Sequence, residues 1–203
     1  MDVATAMTGV PMRLKMPQVI KVNLTGHLKP GCNAKEVILE MLRRVGIKGG
    51  LGKVFEYVGP GAATLTVNER ATISNMGAEM GATTSIFPAD EQVRKFLKAQ
   101  KREADFVELT ADEGCSYDGE MELNLSELVP LCACPHQPDN VIPLKDVEKK
   151  KVQQVFIGSC TNASYSDIAK AALVFQGRHV HEDVSCTCGI SSKQIYLQLM
   201  KDG

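Results

Sequence analysis

Residues 151–175 read KVQQVFIGSCTNASYSDIAKAALVF, and the fold is decided by how this stretch is read. Gln154, Val155, Phe156 and Ile157 make a short apolar, β-rich run that reads as a buried strand. Gly158 and Ser159 break the run, Cys160 follows, and Thr161 and Asn162 offer side chains that cap a helix. Ile168, Ala171, Ala172 and Phe175 then recur at helical spacing, with Asp167 near the helix start. The pattern is strand, tight loop, helix, with one cysteine at the strand tip and a helix N-terminus behind it. Backbone N–H groups and the positive end of a helix dipole stabilise a thiolate in such a place. A thiolate there serves as a nucleophile or a metal ligand. The alternative is a cysteine that is buried and merely packs.

Working outward, Glu148, Lys149, Lys150 and Lys151 form a charged approach to the strand. Before them, residues 132–140, CACPHQPDN, are polar and rich in turn formers, so a domain boundary is expected within residues 135–150. The expected division is 1–17 as the end of a preceding domain, 18–140 as an α/β domain, and 141–203 as the start of another carrying the Cys160 loop. Downstream, residues 184–188 make a second strand, whose Cys186 and Cys188 are read as packing residues. Ser191 or Ser192 then caps a helix over residues 193–200.

In the first half, Ala4, Met7 and Val10 finish a helix before Gly9 and Pro11, and residues 1–16 look like the end of an element that begins upstream. Ile20, Val22 and Leu24 alternate with polar neighbours as in a half-buried strand. Asn33 and Glu36 form a capping box for a helix with an apolar stripe of Val37, Ile38, Met41, Leu42 and Val45, closed by Gly46. Gly49, Gly50 and Gly52 lack the spacing of a phosphate loop and read as a turn into a strand over 54–58. A helix is expected over about residues 68–80, which sets Asn75 and Glu79 four apart on one face. Either both are solvated, or an amide and a carboxylate point together into a cleft. Ile86 and Phe87 finish a strand, and Asp90 caps a helix whose Arg94, Lys95 and Lys98 form a solvated face. Residues 121–125 alternate as a further strand.

The 203 residues are 44% apolar, enough for one or two domains with a core. Lys and Arg total 23 against 24 Asp and Glu, which leaves neither a nucleic-acid footprint nor a polybasic membrane patch. No run approaches the roughly 18 apolar residues of a membrane span. Asp2 follows Met1 and no signal-peptide core comes after it, which argues against secretion. The seven cysteines, an odd number with scattered spacing, read as reduced thiols. Cys132-x-Cys134 and Cys186-x-Cys188 lack zinc-ribbon spacing, and His27, His136, His179 and His181 complete no ligand set, so zinc is a secondary option.

The words GSCTNASYSD at 158–167 and NMGAEMGATTS at 75–85 resemble the aconitase family, and the resemblance runs from about residue 1 to residue 203. It implies an α/β fold with mixed or parallel sheets and flanking helices, in aconitase-type domains present in part. In that family the cysteine matching Cys160 is the first of three thiolates on a [4Fe-4S] cluster whose fourth iron stays open to substrate. The asparagine matching Asn75 hydrogen-bonds around the cluster. The glutamate matching Glu79 faces the water or hydroxyl on the open iron, where a carboxylate accepts and returns a proton. The resemblance thus implies Glu79 and Asn75 as catalytic residues and Cys160 as the cluster-binding metal ligand.

The implied activity is that of a hydro-lyase interconverting citrate and isocitrate through cis-aconitate. Residues 77–79 with 82–88, ATTSIFP, are more similar to aconitases proper than to isopropylmalate and homoaconitate dehydratases, which share the Cys160 region and stand as the alternative. A non-catalytic module is a further alternative. The family's other two ligands lie in an Ala-Cys-Gly-Pro-Cys motif, and this sequence contains no C-x-x-C. The chain is therefore expected to be an internal piece of a longer enzyme, inactive alone, with one of three cluster ligands. Its expected partners are the rest of that polypeptide and a small tricarboxylic acid (citrate, cis-aconitate, isocitrate), with no nucleic acid and no membrane. Its expected place is the cytoplasm, or the mitochondrial matrix in a eukaryote. Where the family has Pro-Gly-Ser, residues 190–192 are Ile-Ser-Ser, which leaves that loop's conformation open.

Overall fold

A computed structural model describes residues 2–11 and 15–203. Part of the expected terminal element, Met1 and residues 12–14, lies outside the described residues; the rest includes a short helix, α1 (Asp2–Met7). The centre of the fold is β1 (Gln18–Thr25), where alternation puts Val22 and Leu24 fully into the core. It pairs in parallel with β2 (Lys53–Val58) on one side and β4 (Gly119–Asn124) on the other. Short β3 (Thr84–Ile86) adds beyond β2, giving the order β3-β2-β1-β4.

Parallel neighbours need crossover connections, and helices supply them. α2 (Ala34–Val45) joins β1 to β2, and its Asn33–Glu36 capping box forms in both directions. Val37, Ile38, Met41 and Leu42 are fully buried against the sheet, as the stripe predicts. β2 leads into α3 (Pro60–Thr64) and α4 (Val67–Met76), then to β3; α5 (Glu91–Ala99) follows, capped by Asp90. The five-residue α3 is not visible in sequence periodicity. The helix expected over 68–80 is corrected: α-helix ends at Met76 and a 3-10 turn, Gly77–Met80, continues the chain. Gly77 is a site of close approach, because a Cβ there would collide with Ser85 Oγ.

Buried Arg70 ties these elements together. Its guanidinium donates to the carbonyls of Leu65 (3.1 Å), Ala62 (3.0 Å) and Pro88 (2.9 Å) and to the Asp90 carboxylate (2.7 Å). Every side of a buried charge is thereby answered, the condition under which such burial is tolerated.

Residues 132–140 are not simply turn. β5 (Leu131–Ala133) and β6 (Val141–Pro143) pair antiparallel around them, and the hairpin packs on α2. The Cys134 N–H extends the pairing to the Asn140 carbonyl at 2.8 Å, and the Asn140 amide closes the loop on the Pro135 carbonyl at 2.9 Å.

The last unit is β7 (Gln154–Gly158), α6 (Tyr165–Phe175), β8 (Ser185–Gly189) and α7 (Lys193–Asp202), with β7 and β8 parallel. Thr161 and Asn162 do not cap α6. Ser164 does, in a capping box with Asp167, so the helix starts later than expected. Ser192 caps α7 through the Ile195 N–H. Cys186 is half-buried, but Cys188 is exposed and does not pack as expected. Among the described residues no helix is long and apolar enough to cross a membrane. The chain is α/β, with parallel sheets, one antiparallel hairpin and flanking helices, and among the described residues its apolar core is a single cluster built on β1, β2, β4, α2 and α4.

Candidate active site

At the end of β7, Gly158 (φ 126°) and Ser159 (φ 95°) both take positive φ. A Cβ on Gly158 would run into the Gly189 carbonyl, so only glycine lets β7 and β8 close together here. Ser159 is a non-glycine residue in a sparsely populated region, a conformation held only where the surroundings over-determine it. The surroundings do so from two sides. Ser191 Oγ donates to the Ala163 carbonyl at 2.9 Å, and Ala163 is buried. From α4, Thr72 Oγ1 donates to the Thr161 carbonyl at 3.1 Å, and the Asn75 amide donates to the Thr161 hydroxyl.

This clamp presents Cys160 outward. Its thiol is exposed, which removes the alternative of a buried packing cysteine. Ser159 Oγ donates to the sulfur at 3.6 Å, Thr161 Oγ1 lies 3.7 Å away, and Asn75 Nδ2 donates at 4.0 Å. The hydroxyls of Ser159 and Thr161, with the Asn75 amide, hold the thiol below its ordinary pKa and favour the thiolate. Sequence reasoning assigned that task to a helix N-terminus. The helix begins too late for that, at Tyr165, with its cap Ser164 four residues past Cys160, and side-chain donors take its place.

The structure brings Asn75 and Cys160 together, and among the described residues no hydrogen bond joins Glu79 to either. Asn75 lies in the last turn of α4, whereas Glu79 is on the 3-10 turn, so the two do not share one α-helical face. Glu79 is exposed, and among the described residues no hydrogen bond or ion pair engages its carboxylate. Two clefts lie where the two halves of the chain meet. One of about 380 Å³ is lined by Gly158, Asn162 and Asp167 with Asn33 and Lys35. The other, of about 320 Å³, sets Ser164, Tyr165 and Gln198 against Asn68 and Gln100. Neither is lined by Cys160, Asn75 or Glu79.

Among the described residues no three His, Cys, Asp or Glu side chains converge as a metal-holding group. The donor chemistry at Cys160 still suits a soft metal: an exposed sulfur, favoured as thiolate and surrounded by hydrogen-bond donors. Thr72, Ser159 and Thr161 were missed as members of this site. For Thr161 a signal existed, because S-x-x-D at 164–167 is a capping signature that frees Thr161 from the cap. For Thr72 none did, since its contact spans 89 positions.

The whole chain, residues 1–203, matches the family described as Aconitase family (aconitate hydratase). It is 41% identical over 202 residues to the 3-isopropylmalate dehydratase large subunit 2 of Archaeoglobus fulgidus, covering 100% of this chain and 49% of that protein. It is 40% identical over 191 residues to the 3-isopropylmalate dehydratase large subunit 1 of Thermotoga maritima, covering 93% and 46% respectively. It is 39% identical over 210 residues to the mitochondrial aconitate hydratase of Emericella nidulans, covering 96% of this chain and 26% of that protein. The chain thus spans about half the length of the dehydratase large subunits that it matches.

Proposed function

This chain belongs to the aconitase family, and from that premise we propose that it forms part of a hydro-lyase that removes water from a small hydroxy acid and returns it. The observation that carries the reading is the meeting of Asn75 with an exposed, thiolate-favouring Cys160 across two separate elements. The favoured substrate is 3-isopropylmalate, because the relatives at 41% and 40% identity are named as its dehydratase, and about half their length is covered. That reverses the order expected from residues 82–88 alone. Citrate, through cis-aconitate, is the second reading, supported by those residues and by two fungal aconitate hydratases at 39% and 41% identity.

Cys160 would hold a [4Fe-4S] cluster together with thiolates from the rest of the polypeptide. When bound, the cluster supplies a Lewis acid that weakens the C–O bond of the substrate hydroxyl. The Asn75 amide faces the Cys160 sulfur and balances its charge. Ser159 and Thr161 do the same from the loop itself. Glu79, with no partner for its carboxylate among the described residues, is free to take a proton from water on re-addition and to give one to the departing hydroxyl on elimination. The base that removes the carbon-bound proton is not assigned to any residue of this chain.

The test is a substrate comparison on the complete polypeptide, reconstituted anaerobically with iron and sulfide. A kcat/KM for hydration of an isopropyl-substituted maleate at least about tenfold above that for cis-aconitate, some 1.4 kcal/mol in transition-state binding, is the expected result. The opposite order supports the citrate reading. A fully loaded protein that hydrates neither compound contradicts the hydro-lyase assignment.

A further inference from the structure

Thr72 is buried (3% exposed) on α4, with its hydroxyl between two carbonyls. One is that of Asn68, one turn back in the same helix, at 3.3 Å, the ordinary partner of a helical threonine. The other is that of Thr161, at 3.1 Å and on the far side of the junction between the two halves of the chain. No other described group donates to that carbonyl. Asn75 lies three positions along the same helix face and reaches the side chain of the same threonine. Thr161 is therefore gripped at its backbone by Thr72 and at its hydroxyl by Asn75, immediately after Cys160 and two residues after the strained Ser159.

We propose that Thr72 is a positioning residue that fixes the Cys160 loop in register against α4, so that Asn75 meets the sulfur. The hydroxyl carries this role, through one hydrogen bond to one backbone carbonyl, and the methyl group does not. Without the bond the Thr161 carbonyl is left unpaired beside a buried helix face, and the loop gains freedom to relax the positive φ at Ser159. The proposal does not depend on the hydro-lyase reading, because its readout is the motion of the loop and not turnover.

Hydrogen exchange by mass spectrometry on the 203-residue chain tests it, comparing wild type with Thr72→Val and Thr72→Ser. Valine keeps the shape and removes the hydroxyl; serine keeps the hydroxyl and removes the methyl. The expected result is exchange about five- to tenfold faster in residues 158–164 of Thr72→Val, the scale of one lost hydrogen bond. Exchange in β1 should be unchanged, and Thr72→Ser should match wild type in the loop. Three results would overturn the proposal: no change in the Thr72→Val loop, equal loosening in both variants, or acceleration of loop and β1 together. Should Thr72→Val not fold, Thr72→Ser decides alone: a loop as protected as in wild type supports the hydroxyl's role, and a loosened one overturns it.

Discussion

Cys160 and Asn75 meet across 85 positions of sequence, a loop residue against one from the last turn of α4. The thiol depends on hydroxyls before and after it and on an amide from α4. Glu79 differs from both in having no partner among the described residues, which suits the proton-exchanging role proposed for it. In the complete, loaded polypeptide Glu79→Gln keeps the volume and removes the base. Turnover should then fall by about 10²–10⁴-fold with iron content unchanged. A Glu79→Gln enzyme that turns over at the wild-type rate would remove Glu79 from the site. At this scale the pattern of the sequence marks the strand-tip cysteine, and only the family resemblance singles out Asn75 and Glu79; of these the structure joins Asn75 to Cys160. Thr72 was not, because a threonine inside a helix carries no local mark of a partner 89 residues away.

Among the elements, Arg70 ties α4 to α5 through Asp90 and to α3 through the Leu65 and Ala62 carbonyls. Burial pushes the Asp90 carboxyl up. The hydrogen bond and charge of Arg70, with the N–H groups of Gln92 and Val93, outweigh this and leave it below the usual carboxylate range. A carboxylate depressed in the folded state adds stability that is present above its unfolded value, about 3.9, and is lost as pH falls through the folded one. Asp90→Asn keeps the cap on α5 but strands the guanidinium. It should cost about 2 kcal/mol in urea unfolding at pH 7, with the gap to wild type closing below about pH 4. A cost under about 0.5 kcal/mol, or one independent of pH, would show that the pair does not stabilise the fold. Element boundaries were legible where a pattern had room to repeat. β1 and α2 declared themselves by alternation and by stripe. The three-residue strands β5 and β6 are too short to show a period, and the turn formers of residues 132–140 between them dominate the pattern. The start of α6 was misplaced because three candidate caps, Thr161, Asn162 and Ser164, follow one another closely. Only the reciprocal partner Asp167 distinguishes the true one.

For the molecule as a whole, nearly all buried apolar side chains belong to the first sheet and its helices, and beyond Val141 only Ala163 is buried among the described residues. The topology follows from the sequence order of strands and helices, since parallel pairing needs the crossovers that α2, α3 and α4 provide. Fold-level analogy points away from the candidate site. Open parallel sheets tend to hold ligands where the strand order reverses, here between β1 and β4. Ser126 occupies that position, accepting from the His27 N–H at 3.1 Å and donating to its carbonyl at 3.2 Å. The candidate site lies instead where α4 meets the tip of β7. We place the domain boundary expected near residue 140 just after Pro143, because a cut at 140 would separate the paired strands β5 and β6. The central claim is that Cys160 supplies one cluster ligand to a hydro-lyase whose remaining ligands lie elsewhere in the polypeptide. The direct measurement is iron content and hydration rate, side by side, in the anaerobically reconstituted complete polypeptide carrying Cys160→Ser. A hydroxyl is a far poorer ligand for a soft metal than a thiolate, so cluster and activity should be lost together. A Cys160→Ser protein that keeps a full complement of iron and hydrates substrate at the wild-type rate would contradict the account.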